Sequence, residues 1–196
     1  MSYDIELIDK KTDQVLTIKR PQFIEGGTIK VKYDLETGEL VPVEQNDTRI
    51  NITYNYSRYY YEATEGDSRF AWDHCGEIDY GIRGLYGKQA SESIDMLLSM
   101  ISRITKKYQD KNGNWIKTKR IKKYCFDKNG NEIKDVCYAI ANHIEYKEVE
   151  KEYEISEGDI SSYWEATAAN AIKPLWNMIY MATDNFLNEN AIWDGD

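Results

Sequence analysis

Arg83 and Lys88 are the residues whose types and surroundings most suggest binding chemistry. They lie in the segment GIRGLYGK at 81–88, which runs into a predicted helix that opens near Ser91. Glycine lets a ligand approach the main chain, and the first turn of a helix has unpaired N–H groups that favour an anion. The segment therefore predicts an anion-binding loop, although its spacing matches neither the P-loop nor the dinucleotide fingerprint. The alternative is a tight turn followed by an ordinary helix cap.

Tyrosine is the most unusual feature of the composition, with 16 in 196 residues. Its flat face can stack on a base and its hydroxyl can form hydrogen bonds, so tyrosine is favoured where proteins meet bases or other proteins. Tyr56, Tyr59 and Tyr60 are spaced like one face of a short helix. The same stretch, 55–62, could equally be the end of a strand.

The formal net charge of −9 and the pI of about 4.9 disfavour direct binding to nucleic acid, because such a surface repels phosphate. The same acidity would let the protein imitate DNA in a basic groove of another protein. The stretch 64–80 is irregular, and we interpret it as an acidic loop insertion. Its candidate acidic face comprises Glu65, Asp67, Asp73, Glu77 and Asp79.

The residues typical of catalytic and metal sites are few. There are two histidines, His74 and His143, and three cysteines without CxxC spacing. We therefore predict no metal site, no cofactor and reduced, intracellular thiols. A single basic cluster is predicted on a hairpin, as a solvated face or as a docking point for nucleic acid or a nucleotide phosphate; it comprises Lys117, Lys119, Arg120, Lys122 and Lys123.

The first quarter of the chain alternates apolar and polar residues and predicts a β-meander. Its expected strands lie at 3–7, 14–18, 28–33, 40–43 and 49–54, with a break at Gly26-Gly27 and a proline, Pro42, that marks an edge strand. From Ser91 the period changes to that of a helix facing a core, with apolar residues at 94, 97, 98, 101, 104 and 108.

Two Asn-Gly turns follow, at 112–113 and 129–130, and predict a β-hairpin elaboration over 109–138. A strand is expected at 144–155. A second long helix should open at Ser162 and be kinked or broken near Ile172 by Pro174. The chain ends with Trp193, which we expect to pack onto the body. The prediction is a single α+β domain over 1–196, an antiparallel sheet with two long helices packed on one face.

Several segments together resemble a family of uncharacterised small proteins from bacterial genomes, phages and mobile elements. The segments are YDIEL at 3–7, GGT at 26–28, NITYNY at 51–56, GIR at 81–83 with LYGK at 85–88, ESI at 92–94 and WDGD at 193–196. The resemblance spans most of the chain and implies that 64–79 and the Asn-Gly hairpins are elaborations. It directs attention to Asn51, Tyr54, Asn55, Tyr56, Arg83, Tyr86, Lys88, Thr167 and Asn170, which could equally maintain the fold.

Three functions remain open at this stage. The first is a binding protein of phage or mobile-element type that counters a host defence system by holding a nucleotide-like anionic signal. Its ligand-binding residues would be Arg83, Lys88, Tyr86, Tyr54, Tyr56, Asn55 and Asn170. The second is an acidic DNA-mimic inhibitor of a host nuclease or other basic protein, and the third is a nucleotide-acting enzyme. We expect a cytoplasmic protein of the bacterial host with no membrane partner, either monomeric or a homo-oligomer.

Overall fold

The computed structural model of the protein describes residues 2–22, 31–42 and 45–196. Its strands are β1 (Ser2–Asp9), β2 (Gln14–Val15), β3 (Thr17–Gln22), β4 (Val31–Tyr33), β5 (Leu40–Pro42), β6 (Gln45–Asp47), β7 (Ile50–Thr53), β8 (Trp72–His74), β9 (Glu77–Asp79), β10 (Lys117–Asp127), β11 (Glu132–Ile133), β12 (Tyr146–Ser156) and β13 (Ala191–Gly195). Its α-helices are α1 (Ser57–Thr64), α2 (Ala90–Tyr108), α3 (Val136–Ala141) and α4 (Ala168–Asp184).

The main sheet is built around β1, which is antiparallel to each of its neighbours. One edge of β1 pairs with β13, in a register that places Leu7 opposite Trp193. The other edge pairs first with β7, where Ile5 lies opposite Ile50, and then with β2. The first and last strands are therefore adjacent.

The two long helices, α2 and α4, pack against each other and cover one face of these strands. The core joins both helices to β1 and β13; its fully buried members include Leu7, Leu97, Met100, Leu175, Met178 and Trp193. Trp193 also donates from Nε1 to the Ser93 hydroxyl at 2.8 Å. The predicted α+β class and the packing of Trp193 onto the body are confirmed.

The prediction of a β-meander in the first quarter is wrong in its connectivity. In a meander each strand pairs with the next, whereas β7 returns to pair with β1, β3 pairs with β6, and β4 and β5 form a separate two-stranded unit. Local alternation cannot reveal these partners, because it reports only which side of a strand is buried. The predicted break at Gly26-Gly27, the start of the strand at 28–33 and Val43 lie outside the described residues.

The stretch interpreted as an acidic loop has regular structure. The segment 54–64 forms a 3-10 turn and α1, which resolves the choice between helix and strand. It is followed by a 3-10 turn at Ser68–Phe70 and a hairpin of β8 and β9. Asp67 is the N-cap of the 3-10 turn at Ser68–Phe70, and its side chain accepts a hydrogen bond from the Arg69 N–H at 3.2 Å.

The region predicted as β-hairpins contains both expected Asn-Gly turns, with Gly113 and Gly130 at φ 81° and 83°. The strands around them differ from the prediction, because β10 is one continuous strand that pairs along its whole length with β12. Residues 136–138, the end of the predicted hairpin region, belong instead to the helix α3. We call the pair of β10 and β12 the ribbon.

The second long helix starts five residues later than the capping-box pattern predicts, since its N-cap is residue 167 and not residue 162. Thr167 is the N-cap and accepts a hydrogen bond from the Asn170 N–H at 3.3 Å. Trp164, which falls inside the helix predicted from Ser162, lies before the observed helix and is 69% exposed. α4 continues through Pro174 to Asp184. Within the described residues, no helix combines the length and the apolar character that crossing a membrane requires.

Candidate functional site

The glycines of the loop at 81–88 serve the packing of the loop itself. A Cβ on Gly84 would lie 2.2 Å from the main-chain oxygen of Phe70, so a side chain cannot be accommodated at that position without movement. Gly87 has φ 77°, and its N–H donates to the Trp193 oxygen at 2.8 Å. The Trp193 N–H in turn donates to the Lys88 oxygen at 3.0 Å. The loop is therefore attached to β13.

The start of α2 is arranged differently from the prediction. The helix begins at Ala90, and the N-cap residue is Gln89, which makes no side-chain cap bond; Ser91 is already inside the helix. Lys88 forms an i,i+4 ion pair with Glu92 at 3.7 Å. Since Glu92 already places a negative charge at the positive end of the helix, this end is less suited to an external anion than the sequence indicates.

The Arg83 guanidinium lies among three aromatic rings. Its Cζ is 5.3 Å from the ring centroid of Tyr3, 5.8 Å from that of Tyr54 and 5.2 Å from that of Trp72. It donates to the Tyr54 hydroxyl at 2.8 Å and, through Nε, to the main-chain oxygen of Asp196 at 3.3 Å. Arg83 is only half-buried. The ring faces favour a cation at this position, and part of the guanidinium stays open to solvent.

Tyr86 completes the group from the other side of the loop. Its hydroxyl donates to the Asp196 oxygen at 3.0 Å. Burial raises the pKa of Tyr86 to about 12, against the opposing effect of Arg83, so its hydroxyl is a neutral donor at physiological pH. We call Arg83, Tyr3, Tyr54, Trp72 and Tyr86 the Arg83 cluster.

Two further groups affect the chemistry of the Arg83 cluster. The Trp72 Nε1–H is buried and has no hydrogen-bond partner among the described residues. Such a donor is costly unless an acceptor reaches it. Asp79 lies near Tyr3: burial raises the pKa of the Tyr3 hydroxyl, Asp79 adds to the increase, and Arg83 opposes it. One residue of the predicted acidic face therefore borders the predicted ligand site.

Three of the predicted ligand-binding residues lie elsewhere. Tyr56 is fully buried and its hydroxyl donates to the Tyr163 oxygen, so its ring face is closed to a base. Asn55 donates from Nδ2 to the Trp164 oxygen at 2.9 Å. Asn170 is buried and donates to the Ser162 oxygen at 2.8 Å. These side chains support the segment before α4, which removes them from the candidate site.

The predicted acidic face is divided. The Asp67 carboxylate contacts Arg69 at 2.6 Å and Arg103 at 2.7 Å, and the hydrogen bond from Arg69 is the main cause of its strongly lowered pKa. Asp73 and Glu77 are exposed on opposite strands of the β8–β9 hairpin. Asp67 is thus neutralised, and only part of the predicted charge remains available to a partner.

A second cluster, which sequence analysis missed, surrounds Glu157. Its carboxylate is fully buried and accepts hydrogen bonds from Arg120 at 2.5 Å and from the Thr118 hydroxyl at 2.6 Å. The Tyr59 hydroxyl lies at 2.7 Å and the Ala168 N–H at 2.9 Å. We call these residues the Glu157 cluster. It joins the base of the ribbon to α1 and to the first turn of α4.

The charge of Glu157 is kept by its surroundings. Burial by itself would raise the pKa of Glu157, but the hydrogen bonds from Thr118, Tyr59 and the Ala168 N–H, together with the charge of Arg120, outweigh burial and lower it. A second arginine, Arg58, is 3.4 Å from the carboxylate. Apart from the Ala168 N–H, these partners come from distant parts of the chain, so nothing in the local sequence around Glu157 marks it.

The described residues contain no group of three or more His, Cys, Asp or Glu side chains placed to hold a metal ion. Comparison of the chain with protein-family models, with curated proteins and with solved structures gave no match. The resemblance described from the sequence motifs therefore remains a prediction.

Proposed function

We propose that the protein is a binding protein that holds a nucleotide-like anion at the Arg83 cluster. One observation carries the proposal: the half-exposed Arg83 guanidinium is surrounded by aromatic rings and lies beside a Trp72 N–H that lacks an acceptor. Guanidinium groups bind phosphate through several donors at once, and aromatic faces stack on bases. An entering anion would replace the Asp196 oxygen at Nε and supply an acceptor for Trp72.

The motif resemblance suggests the context of this binding. A phage or mobile-element protein that captures a nucleotide signal would counter a host defence system that depends on that signal. The proposed ligand site now comprises Arg83, Tyr54 and Tyr86 from the predicted set, together with Tyr3 and Trp72. Lys88, which is paired with Glu92, lies on the same loop as Arg83 and Tyr86.

Native and denaturing mass spectra of protein purified from a bacterial host test the proposal directly. A small mass that is lost on denaturation and absorbs near 260 nm would identify the ligand, and the native mass gives the subunit number. A bare chain would instead turn attention to a protein target, since the acidic residues Glu65, Asp73, Glu77 and Asp79 remain an alternative surface for a basic partner.

Quenching of tryptophan fluorescence by adenosine monophosphate and by a cyclic dinucleotide measures binding, with Trp72 as one of five tryptophans that contribute to the signal. We expect Arg83→Ala to raise the dissociation constant of the probe at least tenfold, which is the order of the free energy of a lost hydrogen bond to a charged group. Arg49→Ala is the matched control, because Arg49 pairs with Glu6 on the sheet and its loss changes the net charge equally. Equal affinities for the two variants would contradict the proposed site. Conversion of the probe to product would favour the enzyme alternative.

A further inference from the structure

The ribbon has two chemically different faces. Its register is continuous from Lys117 opposite Ser156 to Asp127 opposite Tyr146, without a bulge. Side chains alternate between the faces of such a pair, so even-numbered residues of β10 share a face with odd-numbered residues of β12. The sequence alone cannot make this assignment, because it requires the partner strand and the register.

One face carries the acidic residues and the lysines that neutralise them. Lys119 contacts Glu152 at 2.8 Å, and Lys123 contacts Glu148 and Glu150 at 3.4 and 3.6 Å. The basic cluster predicted from the sequence is therefore divided. Two of its members are paired here, and Arg120 is held by the Glu157 cluster.

The opposite face combines aromatic rings with lysines. Between the buried base and the tip of the ribbon, neither strand places an aspartate or glutamate on it. We call it the aromatic–basic face; its residues are Lys122, Tyr124, Phe126, Lys147, Val149, Lys151 and Tyr153. The lysines are exposed, and within the described part of the chain none of the three has an acidic side chain at ion-pair distance.

Two of the three lysines of this face lie over its rings. The Lys122 Nζ is 5.3 Å from the Tyr124 ring centroid, and the Lys151 Nζ is 5.1 Å from Tyr124 and 5.7 Å from Phe126. Tyr124 and Phe126 are half-buried, and Tyr153 is 38% exposed. The rings are therefore accessible, and the cations are beside them.

We propose that the aromatic–basic face binds single-stranded nucleic acid. Proteins that bind single strands without sequence preference combine cations that track the phosphates with aromatic faces on which bases stack. Tyr124 and Phe126 are two residues apart on one strand, a spacing of about 6.8 Å. Successive bases of a stacked strand are about 3.4 Å apart. When an aromatic ring inserts between two bases, their separation doubles to about 6.8 Å, which matches the spacing of the two rings. Phosphates would draw the lysines from the rings, which frees the rings for bases.

The acidic net charge does not prevent this binding, because the carboxylates of β12 point from the other face of the ribbon, where Glu148, Glu150 and Glu152 are paired with Lys119 and Lys123. At physiological salt, charges farther apart than about 8 Å are largely screened. A duplex fits less well, since its bases are already stacked and expose no faces to Tyr124 or Phe126. The proposal concerns a surface separate from the Arg83 cluster and does not depend on it.

Fluorescence anisotropy with labelled 20-nucleotide oligo-dT and oligo-U tests the proposal on the full chain. We expect Lys122→Gln combined with Lys151→Gln to weaken binding at least tenfold. We also expect this double variant to reduce the slope of log K against log salt by about 1.4, at 0.7 for each lost phosphate contact. Lys119→Gln combined with Lys123→Gln has the same net charge on the same strand pair and should remain within twofold of the unmodified protein. The two oligonucleotides distinguish DNA from RNA.

Stacking is tested by Tyr124→Leu, which keeps an apolar side chain but removes the aromatic face. We expect about tenfold weaker binding, as for the loss of one stacked base. Circular dichroism shows that each variant is folded, and Arg49→Ala, which removes one positive charge outside both proposed sites, should bind both oligonucleotides unchanged. The proposal is overturned by a lack of binding at 50 mM salt, by equal losses in the two lysine double variants, or by a duplex of the same length that binds as tightly as the single strand.

Discussion

Arg120 on the ribbon and Glu157 before α4 form a buried ion pair at 2.5 Å, with the Glu157 carboxylate fully excluded from solvent. The pair, with Tyr59 of α1, attaches the ribbon to the body. It determines where the aromatic–basic face lies relative to the rest of the protein.

Removing the charge of Glu157 should destabilise the fold strongly. Glu157→Gln leaves Arg120, whose side chain is only 13% exposed, without this counter-charge. Breaking a buried pair from one side costs about 3–5 kcal/mol in the free energy of unfolding. Urea unfolding followed by circular dichroism measures the loss. The control is Glu152→Gln, which breaks the exposed ion pair with Lys119 and should cost less than about 1 kcal/mol. Similar losses for the two variants would show that burial of the Glu157 pair does not matter.

Stability should fall in acid, and Glu157 should account for part of the decrease. Its folded pKa is lowered, so its contribution is present above the unfolded value of about 4.3 and is lost as the pH falls through the folded pKa. Asp67, also with a lowered pKa, acts in the same direction. The difference in the free energy of unfolding between the unmodified protein and Glu157→Gln should therefore shrink from pH 7 to pH 3. A difference that is constant over this range would contradict the proposed charge of Glu157.

The hydrogen bond between Trp193 and Ser93 should be measurable in stability. Ser93→Ala leaves the buried Trp193 N–H without an acceptor, which costs about 1–3 kcal/mol. Ser102→Ala removes the same hydroxyl group at an exposed position of α2, where no buried donor depends on it. This control should leave the free energy of unfolding unchanged. Thermal unfolding of both variants makes the comparison. Equal melting temperatures would indicate that water replaces the Ser93 hydroxyl.

Gly84→Ala should disturb the Arg83 loop through a clash. The new Cβ would meet the Phe70 main chain at 2.2 Å, so the loop or the 3-10 turn at Ser68–Phe70 must move. We expect a loss of at least about 2 kcal/mol, within the range for overpacking. Gly113→Ala serves as the control, because Gly113 has open space around its Cβ position but φ 81°, and its backbone strain costs about 1–2 kcal/mol. A smaller loss at Gly84 than at Gly113 would contradict the close approach.

The parts of the fold that depend on local pattern could be predicted from the sequence. The helix at 90–108 has the apolar spacing of a core-facing helix, and both Asn-Gly turns have glycines with positive φ. The start of α4 could not be predicted, because Ser162 and Glu165 match a capping box, whereas the hydrogen bonds of Thr167 and Glu157 determine where the helix begins.

The candidate site also combines residues that the sequence motif identifies with residues that only the fold brings together. Arg83 and Tyr86 belong to one motif and could be selected together, but Tyr3 and Trp72 join them only because β1 and β8 are brought to the loop. Tyr54 and Tyr56 are two residues apart in the sequence, yet one reaches Arg83 and the other is buried in the core. A 3-10 turn between them directs their side chains differently.

The sequence by itself determined the α+β class, the long helix after Ser91, the turns and the acidic balance, since these depend on periodicity, turn residues and composition. The tertiary structure decided which charges are neutralised, which tyrosines are exposed and how the ribbon separates acids from aromatics. These properties depend on partners far apart in the chain. Glu157 illustrates the reason: it is an ordinary glutamate in the sequence, and only its contacts with Tyr59, Thr118 and Arg120 make it a buried charge.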